Sequence, residues 1–328
     1  MKQATCLVWM SCVAAAFMLA SPRAISQASL DMRWDAGSED CAEGQGRVQA
    51  HAIDDTTIAI RQNPCVDYEA PLMYLLIGTE RALLIDSGAT EDARITAQLT
   101  ELVSNYLGNS DGSRLPLVVA HTHGHQDHRS GDAAFAALPG TTVVSHEGAA
   151  MRAFFGLEDW PNGSVRFELG QRPVEIIPTP GHHEDHVVFL DSRTRLLFSG
   201  DFVLPGRLLV EDIAAYRESA SRVLEPAQAY GTQYALGAHI EMDTQGELYS
   251  SGATHHPDER GVALPFGMDE VRALREDLDD FNGFYSRHPN YTIVNPVHNL
   301  IALLAGALAA LSLVFWGVRR HRRRRTVS

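Results

Sequence analysis

Short apolar runs alternate with amphipathic segments along most of the chain. The apolar runs are five to seven residues long and rich in β-branched side chains, which is typical of buried β-strands. They predict strands at 56–60, 72–78, 81–86, 115–120, 141–145, 174–178, 186–191 and 195–201. Apolar positions recur at helical spacing in 95–106, 212–229 and 268–284. Strands interleaved with helices predict one layered α/β domain over residues 29–296, with helices covering the sheets.

The two ends of the chain have different patterns. Residues 1–28 run from Lys2 through an uncharged apolar stretch to small residues at Ser26 and Ala28, which is typical of a cleavable signal peptide. An uncleaved anchor is less favoured, because a span needs about 20 apolar residues. Residues 300–318 carry no charge and precede six arginines in seven residues. This pattern predicts a transmembrane helix at 297–318 and a basic cytoplasmic tail at 319–328.

This charge asymmetry predicts a single-pass cell-membrane protein whose body faces the periplasm or the cell exterior. A sorting signal that is removed after export also ends in an apolar helix and an arginine cluster, so processing of the tail stays open.

Outside the signal segment the only cysteines are Cys41 and Cys65. In an oxidising compartment we expect them to form a disulfide.

The charge balance of the body disfavours one class of partner. Eight of the 27 basic residues lie in the two terminal segments, whereas all 41 acidic residues lie between them. The body therefore carries a net charge of about −22, which is unfavourable for binding nucleic acid. The expected partners are a small-molecule substrate and, through the C-terminal helix, a membrane.

The most informative segment is HTHGHQDH at 121–128, directly after a predicted strand. Four histidines and one aspartate in eight positions suit zinc or a similar transition metal, whereas calcium or magnesium would need mostly oxygen ligands. Taken alone, the segment is also consistent with a solvated His-rich loop. Further candidate ligands follow later apolar runs: His182, Asp201 and His239. Seven ligands are the number expected for two metals that share one carboxylate and one water.

In these elements the sequence resembles the metallo-β-lactamase superfamily. The family pattern Thr-His-x-His-x-Asp-His matches 122–128, and the later Pro-Gly-His, Gly-Asp and Gly-x-His elements match 180–182, 200–201 and 237–239. The early aspartate turn of the family matches Asp86 and Gly88. The resemblance implies a four-layer αββα sandwich with the metals at one edge.

The resemblance also implies a role for each candidate ligand. Asp86 would orient a ligand rather than bind metal, and Asp201 would bridge the two metals. The first metal would be held by His123, His125 and His182, and the second by Asp127, His128 and His239.

The remaining histidines near these elements are not expected to bind metal. The pair His255-His256 is expected in a surface loop. Tyr249 and Phe266 are candidate pocket aromatics, although an ordinary surface excursion explains their segment equally well. Four histidines near the motifs are expected to pack or to orient ligands, with His183 the first to test: His121, His146, His183 and His186.

Two metals a few Å apart lower the pKa of a shared water and polarise a substrate oxygen, so a hydroxide nucleophile exists at neutral pH. Asp127 is the candidate catalytic residue, because it can ligate the second metal and orient the nucleophile. We therefore expect a binuclear zinc-dependent hydrolase of a small ester, thioester, lactone, amide or phosphoester. Iron and manganese are the alternative metals.

Other functions stay open at this point. Family members that bind one iron and oxidise persulfides use the same loop, but His125 and His239 favour two metals. A β-lactamase is less favoured because such members generally lack the aspartate found here as Asp201. A glutathione thioester is less favoured because the family holds it with basic side chains that include lysine, and no lysine follows Lys2. A non-catalytic metal sensor or store would be expected to lose ligands.

Overall fold

The computed structural model describes residues 30, 32–42, 46–108, 113–259 and 268–325. The segment predicted as a signal peptide and the candidate pocket residue Phe266 lie outside these residues. All eight predicted strands are present, and the three predicted helices form as α1 (Ala93–Leu107), α5 (Ile213–Tyr230) and α6 (Met268–Asp280). Three shorter helices were not predicted: α2 (Gln126–Arg129), α3 (Asp132–Ala136) and α4 (Gly148–Phe155).

The first sheet contains six strands that are adjacent in the order of the sequence. They are β1 (Val48–Asp54), β2 (Thr57–Gln62), β3 (Leu72–Ile77), β4 (Ala82–Ile85), β5 (Leu117–Ala120) and β6 (Thr141–Val143). The first three pairings are antiparallel, and the β4–β5 and β5–β6 pairings are parallel. The parallel strands β4 and β5 end at the same edge of the sheet, and HTHGHQDH follows β5 there.

The second sheet contains five strands in the order β12-β10-β9-β8-β7. They are β7 (Val165–Glu168), β8 (Pro173–Pro178), β9 (Val187–Asp191), β10 (Leu196–Gly200) and β12 (Tyr234–Gly237). Strands β10 and β12 are parallel, so their carboxyl ends, which precede Asp201 and His239, lie side by side. Buried apolar strands of this kind are expected where both faces of a sheet are covered.

Three separate cores define the layers. One core lies between the two sheets and joins residues such as Tyr74 and Leu83 to Phe189 and Phe198. A second core packs α1 against the outer face of the first sheet. A third packs α5 and α6 against the outer face of the second sheet. The order of layers is therefore helix, sheet, sheet, helix, as expected from the sequence.

A third, small sheet was not predicted from the sequence. Its strands are β11 (Arg207–Leu209), β14 (Thr292–Val294) and β13 (Tyr285–Arg287), in that order. Helix α6 is shorter than the prediction of 268–284, because the chain turns at Gly283, whose φ of +85° lies in the left-handed region.

Helix α7 (Pro296–Arg325) follows β14 after a single residue. Its segment Pro296–Arg319 is long and apolar enough to cross a membrane, with a mean hydropathy of 2.3, and none of it is buried in the protein. The helix is longer than the predicted span, because the arginine-rich segment continues it.

A disulfide and a buried ion pair stabilise the N-terminal part of the domain. Cys41 and Cys65 form the expected disulfide. Arg61, which is fully buried in β2, pairs through both terminal nitrogens with Glu259, at 2.5 and 2.6 Å. Glu259 also contacts His256 at 3.0 Å. His256 is only 5% exposed, so the expectation of a surface position is wrong for this residue: its two ring nitrogens bond within the loop.

Candidate metal centre

The HTHGHQDH segment presents its side chains from a turn and a short helix. His123 and His125 lie in the turn after β5, and α2 (Gln126–Arg129) carries Asp127 and His128 in its first turn. His123 and His128 are buried, whereas His125 and Asp127 are partly exposed. The segment therefore lines the site from its interior to its entrance.

Three imidazole nitrogens face one point in the first cluster. His123 Nε2 lies 2.8 Å from His125 Nδ1 and 3.3 Å from His182 Nε2. His182 Nε2 lies 3.2 Å from His125 Nδ1, and Asp201 Oδ2 is 3.4 Å from His182 Nε2. Tetrahedral ligands of one zinc ion lie roughly 3.3 Å apart, given zinc–nitrogen distances of about 2.0–2.1 Å. The spacing of this cluster fits such an ion.

The ligand atoms of the second cluster have similar spacing. Asp127 Oδ2 lies 2.8 Å from His128 Nε2 and 3.2 Å from His239 Nε2, and the two imidazole nitrogens are 3.4 Å apart. Asp201 Oδ1 lies 3.5 Å from His128 Nε2 and 3.3 Å from His239 Nε2. All ligand atoms within each cluster lie within 4.8 Å of one another.

Asp201 therefore turns one carboxylate oxygen toward each cluster. Its Oδ1 is buried and has no hydrogen-bond partner among the described residues, which is unfavourable for a buried anion unless a cation is bound there. Gly200 allows this placement: its φ is +53°, and a Cβ there would meet the Thr122 side chain at 2.7 Å. The small residue lets the two halves of the site approach closely.

In His182 and His239, the Nδ1 atom that points away from the clusters is hydrogen-bonded, which leaves Nε2 free to face the cluster. Nδ1 of His182 contacts the Leu209 carbonyl at 3.0 Å, and Nδ1 of His239 contacts the Glu69 carbonyl at 2.8 Å. A carbonyl only accepts, so in each case Nδ1 carries the proton and Nε2 offers a lone pair to the cluster. Such outer hydrogen bonds are typical of metal-binding histidines.

Asp86 orients the second cluster from behind. Its Oδ2 accepts from His128 Nδ1 at 2.9 Å, and its Oδ1 accepts from the backbone N–H of Thr122 at 2.8 Å. The residue is buried and has a φ of +65°. It thus has the geometry expected of a residue that orients a ligand.

The electrostatics of the two clusters differ. Burial, with the neighbouring His128, lowers the pKa of His123 well below its usual value. For His128, burial acts against the charged form, but the carboxylates of Asp127, Asp86 and Asp201 raise its pKa well above the usual value. Burial opposes ionisation of Asp201 as well, yet His239 and His128 hold its pKa well below the usual range. The second cluster therefore favours a cation among its carboxylates.

Nearby histidines lie outside both clusters. His186 is buried and contacts Thr179 Oγ1 at 2.7 Å, and His121 contacts Asp132 at 2.8 Å. His183 is partly exposed, with its ring 5.2 Å from that of His125. The ring of His146 lies near Gly124.

The wall beside the second cluster contains residues that the motifs did not reveal. An open pocket there is lined by Tyr249, the candidate pocket aromatic expected from the sequence, and by Tyr68, Glu69 and His256, among others. Tyr249 and His256 stack with their ring centroids 4.5 Å apart. Burial, followed by the nearby Asp127 charge, raises the pKa of Glu69. The acidic segment between β2 and β3 was the signal in the sequence that could have indicated this wall.

Fold and site together define an αββα protein with two adjacent clusters of side chains that could each hold a metal ion. The chain belongs to the metallo-beta-lactamase superfamily, whose family model matches residues 67–260.

The sequence identity to individual relatives is low. The chain is 24% identical over 221 residues to an atrochrysone carboxyl ACP thioesterase from Claviceps purpurea, covering 66% of each protein. It is 28% identical over 134 residues to a hydroxyacylglutathione hydrolase from Rhizobium meliloti, covering 38% of this chain and 52% of the relative. A metallo beta lactamase of known structure from Hirschia baltica aligns at 15% identity with a TM-score of 0.45, covering 59% of this chain and 90% of its own. The chain thus spans about half to two thirds of the length of these curated relatives.

Proposed function

We propose that this protein is a binuclear zinc-dependent hydrolase. The observation that carries the proposal is the position of Asp201, whose two carboxylate oxygens face two separate clusters of ligand atoms. Five of the seven side chains are histidines, and imidazole with carboxylate suits zinc. The intact second cluster favours two metals over the single iron of a persulfide-oxidising enzyme.

The two metals would supply an activated water and polarise the substrate carbonyl. Asp127 lies at the entrance, with 16% of its side chain exposed, where its carboxylate can accept a hydrogen bond from the attacking water and orient it. His183 is the candidate for protonating the leaving group, because it is partly exposed and adjoins His182. No serine or cysteine nucleophile is required.

Esters and thioesters are the substrate class that we favour within the broader list of lactones, amides and phosphoesters. The names of two relatives, a thioesterase and a hydroxyacylglutathione hydrolase, describe thioester cleavage. The carboxylates of Asp67 and Glu69 lie close enough to Asp127 that its charge raises the pKa of each, after the larger effect of burial. Such an acidic rim disfavours strongly anionic substrates such as glutathione conjugates.

We also propose that α7 anchors the protein in the cell membrane, with the catalytic domain outside the cytoplasm. The apolar segment Pro296–Arg319 is exposed along its length, and the arginines that follow it favour the cytoplasmic side. The Cys41–Cys65 disulfide is consistent with an oxidising compartment.

The test is metal analysis of the purified full chain, together with a panel of chromogenic thioester, ester, lactone, phosphodiester and β-lactam substrates. We expect two zinc ions per chain and turnover of the ester or thioester. Asp127→Asn should lower kcat by about 100-fold or more, whereas Glu184→Gln, an exposed acid in the neighbouring loop, should leave it unchanged. One iron per chain with thiol-dependent oxygen uptake would overturn the proposal.

A further inference from the structure

The junction between the catalytic domain and α7 contains no flexible linker. Strand β14 ends at Val294 and α7 begins at Pro296, so only Asn295 lies between them. Asn295 is fully buried, its N–H donates to the Phe284 carbonyl at 3.1 Å, and its side-chain oxygen accepts from the N–H of His298 at 2.7 Å. The direction of the helix is thus fixed relative to the domain.

A second set of contacts ties the first turn of α7 to the segment before β13. Nδ1 of His298 donates to the Gly283 carbonyl at 2.8 Å, and the Asn299 side chain donates to the Phe284 carbonyl at 3.1 Å. The rings of Phe284 and His298 lie 6.0 Å apart. The first turn of α7 is therefore held against the segment before β13.

Large apolar side chains are exposed around this junction. Phe284 and Tyr285 are 46% and 49% exposed, Val297 is 43% exposed and Leu209 is 36% exposed. We refer to these four residues as the junction patch. Aromatic residues beside the end of a membrane helix favour the lipid headgroup region, where the ring is partly apolar and partly wet.

The junction patch is joined directly to the metal centre. Leu209 accepts the hydrogen bond from His182 Nδ1 at 3.0 Å, and it is the partner of Val294 in the β11–β14 ladder. Strands lie about 4.8 Å apart and rise about 3.3 Å per residue, so the His182 ring is within roughly 20 Å of the first residue of α7. The headgroup layer is itself about 5–8 Å thick on each side of the hydrocarbon core.

We propose that the junction patch rests in the lipid headgroup layer and holds the metal centre at a fixed, short distance from the membrane surface. The substrate would then be amphiphilic: an acyl ester or thioester whose apolar tail remains in the bilayer while the carbonyl reaches the site. This inference rests on the proposed hydrolase function and on α7 spanning the membrane, and it commits to lipid as the occupant because the exposed patch is continuous with the apolar helix.

Fluorescence quenching tests the position of the patch independently of activity. The full chain carrying Trp316→Phe is placed in phosphatidylcholine vesicles with brominated acyl chains, and a tryptophan is introduced by Phe284→Trp. We expect the brominated lipid to quench the added fluorescence. The control is Tyr106→Trp, at a position that is 39% exposed but lies at the far end of α1 on the other outer layer, and it should not be quenched. Equal quenching at both positions, or none at Phe284→Trp, would overturn the proposal.

A second experiment tests the substrate class. An insertion of about ten Gly/Ser residues after Asn295 adds roughly 17 Å of flexible reach without touching the clusters. Hydrolysis of p-nitrophenyl palmitate in phosphatidylcholine vesicles should fall about tenfold, while hydrolysis of water-soluble p-nitrophenyl butyrate stays unchanged. An equal effect on both esters, or no effect on either, would contradict the proposal. Failure of the unmodified chain to hydrolyse the butyrate would instead count against the hydrolase function and leave the quenching result standing.

Discussion

Asp86 combines an unusual backbone with two functional hydrogen bonds. A φ of +65° is uncommon for a residue with a side chain, although aspartate and asparagine tolerate it best. This conformation places the carboxylate next to the second cluster. One oxygen accepts a hydrogen bond from the Thr122 N–H and the other accepts one from His128 Nδ1. The backbone strain is thus associated with orienting a ligand.

Replacing this carboxylate should weaken one metal and spare the other. Asp86→Asn keeps the backbone preference, but the amide has a single accepting oxygen for two donors. We expect zinc affinity at the second cluster to fall by about 10–100-fold, with the first cluster unchanged, as measured by competition with a chromophoric chelator. Asp132→Asn, which alters the partner of His121 outside both clusters, is the control. Equal weakening of both metals would contradict this role.

Much of the site could be predicted at the level of single residues, because metal ligands are specified by side-chain type. The spacing of His123, His125 and His128 and the resemblance to the family indicated the set that the structure brings together. The carbonyl partners of His182 and His239 could not be predicted, because any residue supplies a backbone carbonyl. Glu69, in the pocket wall, was missed because no motif marks it.

The Arg61–Glu259 pair connects β2, the second strand of the first sheet, to the loop beside the pocket. The Arg61 side chain is fully buried and that of Glu259 is 8% exposed. Removing one partner of such a pair leaves an uncompensated buried charge, which costs about 3–5 kcal/mol. We expect Glu259→Gln to lower the free energy of unfolding by about that amount, as measured in urea. Glu247→Gln, in an exposed pair with Arg287, should cost about 0–1 kcal/mol. Equal costs would exclude a special role for the buried pair.

The same pair predicts a dependence of stability on pH. Burial alone would raise the pKa of Glu259, but the charge of Arg61 and the hydrogen bond with His256 outweigh it and hold the pKa below its usual value of 4.5. The stabilisation is therefore present above about pH 4.5 and is lost as the pH falls through the lower, folded-state pKa. Urea unfolding between pH 3 and 6 should show a decline toward acid that is shallower in Glu259→Gln. Identical slopes would contradict the assignment.

The Cys41–Cys65 disulfide closes a loop with a sequence separation of 24 residues. Restricting the unfolded chain over such a loop stabilises the folded state by about 3 kcal/mol. The double variant Cys41→Ser/Cys65→Ser should lose about this amount in urea unfolding, and dithiothreitol should destabilise the original chain to the same level. The reductant should have no effect on the double variant; a further loss there would point to a different cause.

The buried strands inside the two large sheets were predicted because their apolar patterns are self-contained. The edge strands β1, β7 and β12 were missed, and β1, the longest strand, is buried at only one of its seven positions. Strands β11, β13 and β14 have three residues each, too few to show a period. They form because β14 can pair with β11, which lies more than 80 residues earlier in the chain, and such distant pairing leaves no local pattern. Because these three strands were not predicted, the rigid junction between the domain and α7 could not be predicted either.

At the scale of the whole molecule, the proposed anchor can be removed without altering the clusters. A chain that ends at Asn295 lacks α7 but keeps every cluster residue. We expect the full chain to remain in the membrane fraction after alkaline carbonate extraction and the shortened chain to be soluble, because about 20 apolar residues suffice to span a bilayer. The shortened chain should still hydrolyse a water-soluble ester. Release of the full chain by carbonate would contradict a membrane span.

The candidate metal centre draws its seven side chains from both sheets. The first sheet supplies His123, His125, Asp127 and His128, and the second supplies His182, Asp201 and His239. Neither cluster is complete within one half, so neither metal can be held fully until both sheets have packed together. A chain that is exported in the unfolded state therefore cannot carry zinc across the membrane in this site. Its metal must be captured afterwards, from the ions available where the protein folds, and metal scarcity outside the cytoplasm would limit the supply of active enzyme.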